Sequence, residues 1–161
     1  MLERTAPGLV EELKTYLVRH RVSVESMIRP GGPEAGLEAA ARYAKAFDGL
    51  LCSLFKAAES TMVKAGTWQS VGLAAVGSYG RNELGFHSDL DVRLISTLKP
   101  EKVRPIAEAL LYPLWDAGLS IGHQVVTGSD MLDLAKHDLP TATTCSTGAY
   151  SPAIARVRKR C

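Results

Sequence analysis

The sequence predicts a mixed α+β domain, and two patterns carry this prediction. Apolar residues recur at helical spacing from Leu9 to Met62, whereas the short apolar or alternating runs that are typical of strands begin only at Val71. One further helical pattern lies between the second and third of these runs. The chain therefore places its strands in the second half, in the order helix, strand, strand, helix, strand.

Two helices are expected in the N-terminal part. Apolar spacing predicts a short amphipathic helix within residues 8–20, and residues 29–36, with two prolines and three glycines, predict a connection. An apolar stripe over residues 40–62 then predicts a long helix, with Gly66 as its stop. Such stripes usually face a core, so we interpret this one as core.

Strand patterns begin at residues 71–80, where an apolar run ends in glycines and indicates a buried strand that runs into a tight loop. Residues 89–95 alternate polar and apolar side chains, which predicts a second strand. Helical spacing over residues 103–114 predicts a helix that Pro113 should bend or end. Residues 119–127 read as the third strand.

Three smaller features complete this prediction. Gly118 supplies a C-terminal cap for the preceding helix, and a last short helix is predicted from Ser129 to Asp138. The three cysteines are odd in number and far apart, which fits neither a disulfide framework nor a zinc knuckle. We interpret Cys52 as a core thiol.

Composition excludes several classes of protein. A length of 161 residues, 46% of them hydrophobic and 22% charged, is typical of one globular domain. No run approaches the roughly 18 apolar residues of a membrane-spanning helix, and the first ten residues lack a secretory pattern. We therefore expect a cytoplasmic protein without membrane association. A net charge of +2 is too small to predict a nucleic-acid partner.

The candidate chemistry lies in a pair of aspartates. Residues two apart on a strand project from one face, about 6.5 to 7 Å apart, so Asp89 and Asp91 can converge on one site. Mg²⁺ binds one or two carboxylates together with water and phosphate oxygens, and such ions assist in-line phosphoryl displacement. We interpret both aspartates as catalytic metal ligands for nucleotidyl transfer.

A glycine-serine turn precedes the aspartates and suits phosphate. Gly77 lets the main chain approach a ligand, the amides from Ser78 to Gly80 can line an anion site, and Arg81 can add a bidentate phosphate contact. Each feature also has a simpler explanation, as a chance acidic pair, ordinary turn glycines or a surface arginine. Their conjunction, with ten residues between Ser78 and Asp89, favours the functional interpretation.

The pattern Gly77-Ser78, ten residues and Asp89-x-Asp91 resembles the signature of the DNA polymerase β-type nucleotidyltransferase superfamily. More narrowly, the segments GSYGRNELGFHSDLDVRLI, ALLYPLWDAGLSIGH and HDLPTAT resemble the N-terminal domain of bacterial PII uridylyltransferase/uridylyl-removing enzymes. The resemblance covers residues 72–144. It implies a polymerase β-type fold, with a small mixed sheet flanked by helices and preceded by N-terminal helices.

The same resemblance implies an activity and its ligands. It implies transfer of UMP from UTP to a tyrosine hydroxyl of the PII nitrogen-regulatory protein, with release of pyrophosphate. It also implies Mg²⁺ or Mn²⁺ at Asp89 and Asp91, and a phosphate cradle at Gly77 and Ser78.

Domain boundaries follow from the same resemblance: an N-terminal helical segment at residues 1–66, a nucleotidyltransferase core at 67–144 and a non-native tail at 145–161. The family's enzymes are several times longer. If Cys145–Ile154 is written in GC-rich codons, a neighbouring frame reads Leu-Leu-Asp-Gly-Arg-Leu-Leu-Ala-Gly-Asp, which is similar to the family's usual continuation. We therefore hypothesise that the tail is read from a shifted frame.

Departures from the family leave two alternatives open. Arg93 replaces a usually apolar residue, and its charge on the aspartate face would compete with a metal ion. Residues 119–127 contain no third carboxylate, which leaves Asp116 and Asp138 as weak candidates. One alternative is a non-catalytic remnant that binds nucleotide or PII without turnover. The other is a different transferase, such as an adenylyltransferase, which would share the metal motif but not LYPLWDAGLSIGH.

Overall fold

The computed structural model describes residues 6–28, 34–64, 71–96 and 98–127. Four helices and three strands follow one another in these ranges, and the predicted α+β class is confirmed. In chain order they are α1 (Pro7–Ile28), α2 (Ala35–Lys64), β1 (Val71–Ala75), the single turn α3 (Gly77–Gly80), β2 (Val92–Ser96), α4 (Pro100–Asp116) and β3 (His123–Val126).

The strands form one mixed sheet in the order β1-β2-β3. β1 runs antiparallel to β2, with Ala75 opposite Val92, and β3 runs parallel to β2, with His123 opposite Val92. A parallel pair needs a crossover connection, and the segment that contains α4 provides it. The C-terminal end of β1 and the N-terminal ends of β2 and β3 therefore lie at one edge of the sheet.

One hydrophobic core joins the helices to the sheet. α2 packs against both α1 and α4, and the strands contribute Leu73, Val92 and Leu94, each at most 2% exposed. The face that the sequence predicted within residues 40–62 lies in this core, as expected. Its buried members are Tyr43, Ala44, Phe47, Leu50, Leu51, Leu54, Phe55 and Ala58.

Two helices continue beyond their predicted ends. α1 runs to Ile28 rather than ending near residue 20, because Val24 is buried in the same core and lengthens the packed face. The sequence predicted that Pro113 bends or ends this helix; α4 continues past Pro113 to Asp116, so the proline does not end it. A helix keeps its remaining hydrogen bonds around a proline when packing holds it, and Leu114 is fully buried here.

β2 begins three residues later than predicted. The predicted strand started at Asp89, whereas the regular strand starts at Val92. β1 ends at Ala75 and turns into α3, so residues 89–90 have no partner on that side of the sheet. β3 is likewise shorter than its predicted 119–127 range.

The end of α4 confirms the predicted glycine cap. Gly118 adopts a φ of +89°, its N–H donates to the Trp115 carbonyl at 2.9 Å, and the Leu119 N–H donates to the Leu114 carbonyl at 3.1 Å. Reversal of the backbone by a left-handed residue satisfies the last carbonyls of the helix. Glycine adopts this conformation without steric strain.

Cys52 is buried in α2 as predicted, but its sulfur is disulfide-bonded, so the prediction of a core thiol is wrong. The predicted helix at residues 129–138 and the predicted tail at 145–161 lie outside the described residues. Across the helices that are described, none combines the length and apolarity needed to cross a membrane.

The α3 turn is tied to the core by Tyr79. Its side chain is fully buried, and its hydroxyl donates a 2.9 Å hydrogen bond to Oδ1 of Asp48, which is itself buried in α2. The turn also approaches β1 closely, because a Cβ placed on Gly80 would lie 2.8 Å from the carbonyl oxygen of Ala75. These two contacts determine where the chain emerges after β1.

We expect Gly80→Ala to lower the free energy of unfolding by about 1 to 3 kcal/mol, because the added methyl meets backbone that cannot move without disturbing β1. Gly72→Ala is the matched control, since its Cβ would find ordinary contacts at 3.7 and 3.9 Å. Urea denaturation of both variants measures the difference. Equal stabilities would contradict the close approach.

Tyr79→Phe should lower the free energy of unfolding by about 1 to 3 kcal/mol, because the buried Asp48 carboxylate would lose a donor. The control is Tyr112→Phe, whose hydroxyl makes a longer 3.3 Å bond to a Glu108 that also accepts from Arg104. Thermal and urea unfolding should show the larger loss for Tyr79. A loss no larger than that of the control would argue against a stabilising Tyr79–Asp48 bond.

Candidate nucleotidyl transfer site

Three segments converge where β1 ends and β2 and β3 begin. On one side, the Val76 N–H donates to the Asp91 carbonyl at 3.0 Å. On the other, the Val92 N–H donates to the Gly122 carbonyl at 2.8 Å. The backbone of Asp91 is therefore held between the turn that begins at Gly77 and the segment that leads into β3.

The Asp91 carboxylate lies between two glycines, and we call this arrangement of Gly77, Asp91 and Gly122 the glycine slot. A Cβ at Gly77 would lie 2.8 Å from Oδ2 of Asp91, and a Cβ at Gly122 would overlap Oδ1. Gly77 also adopts a φ of +61°, which residues with side chains rarely adopt. The carboxylate can occupy this position because neither neighbour carries a side chain.

Asp91 and Arg93 project from the sheet face opposite the core. Leu90, Val92 and Leu94 are buried in the core, whereas Asp91 and Arg93, which alternate with them, are half-buried. Alternation of this kind places residues two apart on one face. The sequence prediction that Arg93 shares a face with Asp91 agrees with this pattern.

The electrostatics of the slot are dominated by burial. Burial raises the pKa of the Asp91 carboxyl above its usual range, the positive charge of Arg93 lowers this pKa in part, and the negative charge of Asp89 raises it further. Both neighbouring charges therefore act on Asp91. In the described part of the chain, no ion pair within 4 Å joins Arg93 to either aspartate.

Asp89 and Ser78 lie in the segments on either side of the slot. Asp89 is exposed and precedes Leu90, whose N–H donates to the Ser120 carbonyl at 3.0 Å. Ser78 is half-buried in α3, and its carbonyl accepts from the Glu83 N–H at 2.9 Å. The fold thus brings Gly77 to Asp91 and places Asp89 close enough to influence the Asp91 pKa.

Two groups of the turn that the sequence predicted to contact phosphate make hydrogen bonds within the protein instead. The Gly80 N–H donates to the Val76 carbonyl at 2.9 Å, so its predicted role in an anion site is wrong. Arg81 is exposed, and its Nε donates to Oε2 of Glu83 at 2.8 Å. An exposed ion pair of this kind contributes at most about 1 kcal/mol, so it is weak enough to exchange for a phosphate contact.

The residues present suit a cation that arrives with a phosphate ligand. Within the described ranges, no group of three or more His, Cys, Asp or Glu side chains could hold a metal ion. Mg²⁺ commonly binds one or two carboxylates and completes its shell with water and phosphate oxygens. Asp89 and Asp91 fit this requirement, whereas Asp116, at the end of α4, does not join them as a third carboxylate. Asp138 lies outside the described residues.

Sequence reasoning missed three residues around the site. Gly122 faces Asp91 only because of the register between β2 and β3, although it lies within a segment that carries the family resemblance. Tyr79 and Asp48 are joined by the fold, and no local spacing connects them. The apolar helical stripe could have indicated Asp48, since it lies beside Phe47 on the buried face of α2.

No protein-family model matches the chain, and no solved structure matches it. Curated proteins do match. The bifunctional uridylyltransferase/uridylyl-removing enzyme of Novosphingobium aromaticivorans is 32% identical over 152 residues, which cover 92% of this chain and 17% of that protein. The Zymomonas mobilis protein of the same name is 32% identical over 138 residues, or 85% of this chain and 14% of that protein.

A third relative is more similar over a shorter stretch. The Mycobacterium tuberculosis protein of the same name is 46% identical over 71 residues, which cover 44% of this chain and 9% of that protein. In each comparison the chain spans a small part of the relative's length. These matches show that the chain, which spans only a small part of the length of its relatives, belongs to the bifunctional uridylyltransferase/uridylyl-removing enzyme family.

Proposed function

We propose that this chain is a nucleotidyltransferase domain that transfers UMP from UTP to a tyrosine of the PII nitrogen-regulatory protein and releases pyrophosphate. The observation that carries the proposal is the Asp91 carboxylate, fixed in the glycine slot and within electrostatic range of Asp89. The names of the relatives support the uridylyl group as the transferred unit. The PII target follows from the family resemblance.

The proposed reaction is an in-line displacement. The tyrosine oxygen attacks the α-phosphorus of UTP, and a new phosphorus–oxygen bond forms. The bond from this phosphorus to the oxygen that bridges to the β-phosphorus breaks, pyrophosphate leaves with the electron pair, and the phenolic proton passes to solvent. Mg²⁺ or Mn²⁺, when bound, supplies positive charge that stabilises the phosphate oxygens during displacement.

In this proposal, the residues of the chain bind the cation and orient the phosphates of UTP. Asp89 and Asp91 hold the cation, and Gly77 and Ser78 cradle the phosphates beside them. Burial disfavours the charged form of Asp91, as its raised pKa indicates, so a bound cation would relieve this electrostatic cost. Arg81 would exchange its exposed contact with Glu83 for a phosphate oxygen.

One observation favours a second candidate, a remnant that binds nucleotide or PII without turnover. The positive charge of Arg93 already lowers the Asp91 pKa, so Arg93 provides part of the countercharge that a cation would otherwise provide. The two candidates differ in how strongly the site should hold a cation. They therefore make different predictions for variants of Arg93.

Asp91→Asn should weaken Mg²⁺-dependent UTP binding at least tenfold, about 1.4 kcal/mol, because it removes a charge from the cation site. The control is Glu101→Gln, which removes one charge from an exposed residue in the first turn of α4, beyond the opposite end of β2. Titration calorimetry measures both affinities. Unchanged binding in Asp91→Asn would refute the cation assignment.

Arg93→Leu should raise cation affinity about threefold to tenfold, because it removes the positive charge that lowers the Asp91 pKa and competes with a cation for the carboxylate. Labelling of PII by radiolabelled UTP should rise with it. Lys102→Leu is the control, since it removes a positive charge from an exposed position near the start of α4.

Two results for Arg93 would decide between the candidates. If the parent chain already labels PII and Arg93→Leu changes neither affinity nor labelling, Arg93 does not compete with the cation. If both forms bind UTP and neither labels PII, the non-catalytic remnant is the better description and the transferase assignment for this chain is withdrawn.

A further inference from the structure

We propose that Gly122 is a positioning residue for the Asp91 carboxylate: the missing side chain at Gly122 leaves the space in which this carboxylate is oriented to bind the cation with Asp89. The proposal rests on the proposed function, because it takes the cation to be the one used in nucleotidyl transfer. It adds a residue from the β3 side of the sheet to a site that the sequence placed entirely within residues 77–91.

The space at Gly122 is filled by Asp91. For a Cβ built on Gly122, the atoms within 4 Å in the described structure are Oδ1 and Cγ of Asp91, with Cγ at 3.4 Å. Gly80 differs, since its Cβ would meet the Ala75 backbone. A side chain at Gly122 would therefore conflict with the end of one carboxylate and not with the frame of the sheet.

The backbone at Gly122 does not itself call for glycine. Of the glycines in the described ranges, Gly77 and Gly118 have positive φ angles, and Gly122 does not. The Gly122 carbonyl accepts the hydrogen bond from the Val92 N–H, and a carbonyl of any residue can accept such a bond. The carboxylate of Asp91 thus accounts for the glycine, whereas at Gly77 the backbone conformation also requires one.

An alanine at Gly122 should therefore separate cation binding from folding. Because the Asp91 side chain is only half-buried, we expect its carboxylate to rotate towards solvent in this variant, so that the methyl is accommodated by moving a few side-chain atoms. The same rotation moves the oxygens that would bind the cation. Mg²⁺ requires near-ideal octahedral geometry with oxygens at about 2.0 to 2.1 Å, so such a displacement weakens binding.

The experiment compares Mn²⁺ binding with thermal unfolding in the full 161-residue chain. Mn²⁺ is titrated together with UTP by water-proton relaxation into the parent, Gly122→Ala, Asp91→Asn and the control Gly72→Ala. We expect Gly122→Ala to weaken Mn²⁺ binding at least fivefold while its melting temperature stays within about 3 °C of the parent. Gly72→Ala should bind Mn²⁺ as the parent does.

The outcomes separate this inference from the proposed function. If Asp91→Asn loses Mn²⁺ and Gly122→Ala keeps it, the positioning role is wrong and the proposed cation site stands. If Asp91→Asn binds Mn²⁺ like the parent, the cation site and the positioning role both fail.

A second variant keeps the test decisive if Gly122→Ala is unstable. Asp91→Ala removes the conflicting oxygen, so Gly122→Ala should then add no further loss of stability, and the two changes should be strongly non-additive. Restored stability in the double variant supports the conflict with the carboxylate. An equal loss in both backgrounds would show that Gly122 is needed elsewhere and would overturn the inference.

Discussion

The structure around the site depends on the close approach of three chain segments at one edge of a small sheet. Asp91 directly precedes the central strand, β2, and its carbonyl accepts a hydrogen bond from the N–H of Val76, the residue after β1. The segment that enters β3 lies on its other side. The Asp91 side chain fits only because Gly77 and Gly122 carry none. The register between β2 and β3 brings Gly122 against Asp91, and the absence of a side chain there leaves room for the carboxylate that we propose as a cation ligand.

The hydrophobic core holds this edge from the other side of the sheet. Tyr79 is buried beneath the turn and donates to Asp48 of α2, and Gly80 allows the turn to lie against the Ala75 carbonyl. A buried hydrogen bond is costly to break when its partner stays buried. Packing of α2, which precedes β1 and both aspartates in the sequence, thus helps to determine the position of Gly77.

Charge, rather than shape, distinguishes the two functions that we consider. Burial and Asp89 make the charged form of Asp91 less favourable, and Arg93 makes it more favourable. A divalent cation would act in the same direction as Arg93, with twice the charge. A transferase must bind the cation although the positive charge of Arg93 competes with it, whereas a remnant without turnover has no such requirement.

The sequence by itself determined the α+β class, the core face of α2 and the pairing of Asp89 with Asp91 in one motif, because periodicity and motif spacing are local properties. The family assignment also came from linear segments, and curated relatives match them. Only the tertiary structure decided that β2 begins at Val92 and that Gly122 faces Asp91. Strand register is set by pairing and packing between distant segments, and no spacing along the chain records it.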